Sequence, residues 1–259
     1  MPRKARKKSN TGIYHLVLRG INKQRIFEDE QDYRKFLETM KSTKDKSGYI
    51  VYAYCLMSNH IHLLIEEGME PIGNTFRRIG ASFVYWYNWK YSRRGHLFQD
   101  RYKSEPVETD SYFLTVLRYI HQNPTKARIV KEIEQYPWSS YQEYKTKSQI
   151  CDTTFALKLF SEDEQEALEL WQKFNQAENN DQCLEYDDGT RLNDLEAKEL
   201  ILNIVGVKIP TEIQRYEKKK RNHVIGKLKG AGLSISQISR LTGISYNFFY
   251  KSRLILIKF

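Results

Sequence analysis

Cysteine is scarce in this sequence. Three occur among 259 residues, Cys55, Cys151 and Cys183, widely spaced and odd in number. There is no CxxC pair, so neither a zinc ribbon nor a disulfide framework is indicated. Long apolar runs are missing too, and the longest falls far short of the roughly 20 residues that span a bilayer. The basic N-terminus, MPRKARKKSNTG, is not followed by the apolar core of a signal peptide. It reads as a flexible basic arm on a cytoplasmic protein with no membrane partner. No internal repeat is present.

What the sequence has in quantity is charge, unevenly spread. Residues 1–150 hold 26 Lys/Arg against 16 Asp/Glu, a net +10. Residues 151–210 hold 5 against 14, a net −9, and residues 211–259 hold 11 against 2, a net +9. Two basic blocks flank an acidic one. A polyanion such as nucleic acid suits the basic blocks. Ordinary solvated charge is the alternative.

The first block alternates strand and helix patterns. IYHLVLRG (13–20) reads as a strand with Tyr14, Leu16 and Leu18 on one face. A helix is expected over 28–46 and strands over 49–57 and 60–67, joined at Ser58-Asn59, which supplies turn chemistry. A long aromatic-rich helix follows Pro71 over 74–91, then a strand over 96–108 with Pro106 at its end or on an edge. Asp110 is a candidate N-cap for a helix over 111–122, which Pro124 should end. The order β-α-β-β-α-β plus a helix predicts an α+β fold of ferredoxin-like type. Its antiparallel sheet should carry helices on one face and leave the other face or its flank for a site.

Further on, ENNDQCLEYDDGTRLND (178–194) is poor in apolar residues and reads as a linker or exposed helical spacer. Residues 218–251 then show a short helix with Val224, Ile225 and Leu228 on one face, a break at Gly230 and Gly232, and a helix bearing Ile238 and Leu241. Ser234 or Ser236 can cap that helix, Gly243 ends it, and Ser245 can cap the next. That is the helix-turn-helix pattern, although plain interaction modules share it. The expected domains are therefore 1–148, an acidic spacer over 149–210, and a small all-α helix-turn-helix domain over 211–259.

Chemistry concentrates in SNHIHLLI (58–65). His60 and His62 are two apart, so on a strand both imidazoles point the same way. Neutral imidazoles ligate divalent metals. Taken alone, the pair fits half-buried structural histidines better than a metal site. A metal site needs further ligands, and RYIHQNP (118–124) offers them. Tyr119 and Asn123 share a helical face at i, i+4. Asn supplies an amide oxygen, and Tyr supplies a phenol that can act as a nucleophile. His121 points away from that face. A core tyrosine on an amphipathic helix is the competing reading.

SNHIHLL followed by RYIHQNP resembles the HUH single-tyrosine transposases, specifically the REP-associated tyrosine transposase branch. IYHLVLRGINKQRIF (13–27), GHLFQDRYKS (95–104) and PWSSYQEY (137–144) resemble it in the same order, over about residues 10–146. RGINKQ departs from the expected Arg-Gly-Asn-Asn-Arg-Gln: Lys23 keeps the charge and Ile21 removes a polar contact. The resemblance implies an HUH endonuclease-type fold. It also implies His60, His62 and Asn123 as ligands of a divalent metal, Mg or Mn, with Gln122 the alternative to Asn123, and Tyr119 as nucleophile.

The implied activity is cleavage and rejoining of single-stranded DNA, often beside a hairpin, through a 5′-phosphotyrosine. A non-catalytic sequence-specific DNA-binding regulator and a metal-dependent hydrolase using water are the other readings. Arg19, Arg101 and Lys103 are candidate DNA contacts. Tyr85, Trp86, Tyr87 and Trp89, near Arg77, Arg78, Arg93 and Arg94, could stack bases or fill the core. In the C-terminal domain, Asn247, Lys251 and Arg253 on 245–253 are candidates for contacts to duplex DNA. A nucleoid association follows from these partners. Monomer and homodimer both remain open.

Overall fold

The computed structural model describes residues 6–185, 194–233, 235–245 and 248. The chain divides into two compact units, 1–186 and 187–259.

The first unit is built on four strands, β1 (Ile13–Arg19), β2 (Ile50–Leu56), β3 (His60–Glu66) and β4 (Lys103–Pro106), in the order β2-β3-β1-β4. Every neighbouring pair is antiparallel. That is the ferredoxin-like order. Helices α1 (Glu30–Ser47) and α2 (Ile72–Lys90) are the crossovers. Asp29 caps α1 by accepting from the backbone N–H groups of Gln31 and Asp32, and Gly48 ends it in the left-handed region at φ 67°.

Alternate residues sort the core into two layers. Tyr14, Leu16, Leu18, Ile61, Leu63 and Ile65 face Phe36 and Met40 of α1 and Phe76, Ile79 and Phe83 of α2. Ala53, Cys55 and Leu64 face the other way. A bulge between Val51 and Ala53 turns Tyr52 to this second face as well.

The second face is not left open, contrary to the expectation of helices on one face. It is covered by α3 (Asp110–Lys126), α4 (Tyr141–Lys145), α5 (Thr154–Lys158) and α6 (Glu164–Gln176). The physical reason is that every residue of β1 is buried, so both sheet faces need an apolar cover. Trp171 of α6 is fully buried and stacks on Tyr144, with ring centroids 4.8 Å apart. Residues 149–185, expected to belong to a spacer, thus carry part of the first unit's core.

Three further boundaries differ from the sequence reading. The fourth strand is short, although Phe98 still forms a bridge to Gly20. Thr109 rather than Asp110 caps α3, its side chain accepting from the Tyr112 N–H. Helix α3 also runs through Pro124 to Lys126. So close to a helix end, the missing N–H removes a single bond, and burial of α3 offsets the loss.

The second unit is helical. It comprises α7 (Asp194–Val205), α8 (Lys218–Gly230) and α9 (Ile235–Thr242), with a 3-10 turn at Pro210–Arg215. Ala197, Ile201, Ile213, Val224, Ile225, Leu228 and Ile238 form its core. Helix α7, expected to be spacer, is therefore part of this unit. Between α8 and α9, Gly232 takes φ 93°, and Gly243 after α9 takes φ 72°, conformations that favour glycine. Asn247, Lys251 and Arg253 lie outside the described residues. Among the described residues no helix is long and apolar enough to cross a membrane.

Candidate active site

The site lies where α3 crosses the second face of the sheet. In the sheet register Arg19 is opposite His60, and Val17 lies between Lys103 and His62. His62 is buried and His60 is partly exposed at the strand end. Their rings are nearly perpendicular, at 86°, with centroids 5.0 Å apart. Helix α3 delivers Tyr119 to the same place, its ring 5.6 Å from that of His62. Asn123 follows one turn later and is mostly buried. The predicted pair of imidazoles and the predicted Tyr-x-x-x-Asn face are brought together.

Each histidine has its Nδ1 engaged. His60 Nδ1 lies 2.7 Å from Asn59 Oδ1, and His62 Nδ1 lies 3.1 Å from His15 Nε2. An amide oxygen only accepts, so neutral His60 carries its proton on Nδ1 and its lone pair on Nε2. Asn59 is in turn held by the 20–24 turn: its Nδ2 donates to Lys23 O, and Gly20 N donates to Asn59 O. A Cβ at Gly20 would meet Gln24 O at 2.2 Å, so only glycine allows this close approach.

The donor set suits a divalent ion. Two imidazoles ligating one ion at roughly 2.1 Å, at right angles about it, place their ring centroids about 4.6 Å apart. The observed 5.0 Å is close to that. Among the described residues no three His, Cys, Asp or Glu side chains gather to hold an ion. Asn123, the expected amide ligand, lies one helical turn from Tyr119 on α3. Gln122 is committed elsewhere: its Nε2 donates to Asn175 O and Ala177 O, and its Oε1 accepts from Asn179. His121 points away, between Asn175 and Ser140.

Residues 177–185 run along α3 as a strap that sequence reasoning missed. Arg118 Nε and Nη2 grip Asp181 at 2.8 and 3.0 Å, and Lys126 Nζ donates to Asn179. At the end of the strap the Tyr119 hydroxyl donates to Glu185 Oε1, while Lys103 Nζ reaches the Glu185 carbonyl oxygen. Burial, then the Glu185 carboxylate, push the Tyr119 phenol above its usual range, and the Asn123 amide opposes them. Nothing in the acidic composition of 178–194 signalled this contact. His15 was missed as well. Its signal was present: a polar residue inside an apolar strand, on the same alternate face as Arg19.

Of the candidate nucleic-acid contacts, Arg19 is mostly buried opposite His60, Lys103 is partly exposed, and Arg101 is exposed. The aromatic stripe of α2 splits. Tyr87 is buried and Trp86 packs on the core, whereas Tyr85 and Trp89 are 80% and 74% exposed. The basic arm is bound where it is described, with the Arg6 guanidinium on Tyr102 O and 3.9 Å above that ring.

Residues 8–123 match the family described as IS200-like transposases. That match covers 116 residues, a little under half of the chain. The chain also shares its fold with a REP-associated tyrosine transposase solved bound to a REP hairpin. That match has 17% identity and a TM-score of 0.50, covering 60% of this chain and 94% of that one. A transposase described as putative, from Deinococcus radiodurans, aligns at 16% identity and a TM-score of 0.33, over 52% of this chain and 98% of that one. No curated protein matches the sequence. The first unit thus shares the fold of that REP-associated transposase, and the second unit adds helices.

Proposed function

We propose that this protein nicks and rejoins single-stranded DNA through a covalent bond to Tyr119, with His60, His62 and Asn123 as ligands of a divalent cation. The observation that carries this reading is the convergence of Tyr119 on the histidine pair, 5.6 Å from ring to ring. When bound, such a cation withdraws charge from a non-bridging oxygen of the phosphodiester. Imidazole donors suit Mn²⁺ as well as Mg²⁺.

The chain's own residues do the rest. His60 and His62, each engaged at Nδ1, stand on the same face of β3. Tyr119 Oη forms a bond to phosphorus, and the bond from phosphorus to the 3′-oxygen breaks. The products are a 5′-phosphotyrosine and a 3′-hydroxyl, the phenol proton leaving to water and the 3′-oxygen taking one up. The phosphoester bond is conserved, so the reverse step joins a new strand without ATP. Lys126 places its Nζ 5.3 Å from the Tyr119 ring centroid. Lys103, Arg19 and Arg101 supply cations around the same end of the sheet. Exposed Tyr85 and Trp89 suit base stacking. A hairpin-containing single strand is the substrate class, by analogy with the REP-associated branch.

One observation favours the second reading, a DNA-binding regulator without catalysis: the phenol is buried and bonded to a carboxylate. The helical second unit would serve duplex binding in either case. Incubation with labelled hairpin single strands and Mn²⁺, followed by a denaturing protein gel, separates the two. The proposal expects a shifted adduct that EDTA and Tyr119→Phe abolish. Binding without an adduct supports the regulator, and an adduct persisting in Tyr119→Phe removes Tyr119 as nucleophile.

A further inference from the structure

We infer that His15 is a positioning residue whose Nε2 accepts the Nδ1 proton of His62 and so holds the His62 Nε2 lone pair ready for the cation. This rests on the metal reading above. His15 is fully buried in the middle of β1, a strand whose other members are apolar except Arg19 at its end. Its ring stacks on His62, with centroids 5.4 Å apart and planes 29° apart, and meets Tyr119 edge-on at 5.9 Å. It touches both halves of the site without belonging to either.

The hydrogen bond is what decides its role. His62 Nδ1 and His15 Nε2 are 3.1 Å apart, so one proton lies between two nitrogens. If it sits on His15, neutral His62 must carry its own proton on Nε2 and has no lone pair there to give. If it sits on His62 Nδ1, the Nε2 lone pair is available, and neutral His15 carries its proton on Nδ1. That Nδ1 is buried and has no hydrogen-bond partner among the described residues. Leaving a buried polar atom unpartnered destabilises the fold, so packing alone would favour Val or Leu here. Metal-ligating histidines regularly donate their second ring N–H to an oriented acceptor, and losing that acceptor weakens metal binding. Asn59 plays the equivalent part for His60. The two ligands thus have one acceptor each, a side-chain amide at the strand end and a second imidazole in the interior.

Two measurements test this. Long-range ¹H–¹⁵N NMR of the full chain with saturating Mg²⁺ reports the His62 tautomer directly. The expected result is the Nδ1–H form. The Nε2–H form would overturn the inference, whatever the enzyme does to DNA. The second measurement is Mn²⁺ binding by calorimetry without DNA, in wild type, His15→Phe and His15→Gln. Phe keeps the ring and removes the acceptor, whereas Gln places an amide oxygen near the lost Nε2. Phe is expected to weaken binding by about 10- to 100-fold, and Gln to restore most of it. Equal binding by wild type and Phe, or no rescue by Gln, contradicts the role. Should wild type bind no Mn²⁺, the metal reading fails, and the tautomer still decides the hydrogen bond. If the Phe variant does not fold, the wild-type tautomer and the Gln variant carry the test.

Discussion

The Tyr119 hydroxyl donates to the carboxylate of Glu185, 66 residues further along the chain. The proposed nucleophile is therefore held by the end of a strap. An anionic phosphate and this carboxylate would compete for the same phenol. Burial raises the phenol pKa first, and the Glu185 charge raises it further. The sign for Glu185→Gln follows. Removing the anion lowers the phenol pKa, so more phenolate exists at a given pH. The alkaline rise of adduct formation is expected to move to lower pH, with a faster rate at neutral pH. A pH–rate series on both proteins checks this, and an unchanged profile means the contact does not govern the phenol.

Asn123 and Gln122 are neighbours with different expected roles. Asn123 shares the Tyr119 face, whereas Gln122 ties the strap to α3 through Asn175, Ala177 and Asn179. Asn123→Ala should reduce metal-dependent adduct formation by about 100-fold or more, as loss of a ligand. Gln122→Ala should loosen residues 177–185, seen as faster amide exchange there, with the chemistry retained. A reversed pattern would move the ligand assignment to Gln122.

Tyr119 and the histidine pair meet within one chain, which supports a site completed in cis. Mixing Tyr119→Phe with His60→Ala protein should then give no adduct. Recovery of adduct in the mixture, with a dimer in light scattering, would show that the tyrosine is exchanged between copies.

Trp171 sits fully buried against Tyr141, Tyr144 and His121. Trp171→Ala should destabilise the first unit by roughly 3–5 kcal/mol in urea unfolding. A chain ending at residue 148 should lack a cooperative transition or precipitate, because it exposes the same face, whereas one ending at 186 should unfold cooperatively. Equal stability of the two would return 149–186 to the status of a spacer.

Much of the fold was legible because local pattern carries it. The period-two alternation in 13–20 and 60–67 and the helical spacing in 111–122 placed the strands and α3 within a few residues of their observed ends. The His60–His62 pair and the i, i+4 spacing of Tyr119 and Asn123 follow from strand and helix geometry alone, so each half of the site was visible in one short stretch. What the sequence could not decide is everything set by partners distant along the chain. The acceptor on His62 is His15, 47 residues earlier. The acceptor on Tyr119 is Glu185, from a stretch whose composition reads as solvated. Part of the cover of the second sheet face comes from residues that follow an unremarkable break near 148. Charge and hydropathy report what a segment prefers in water. Whether an acidic residue is solvated, or lies against a buried phenol, depends on which surface the fold brings to it. Here only the packing of 149–185 onto α3 decided that.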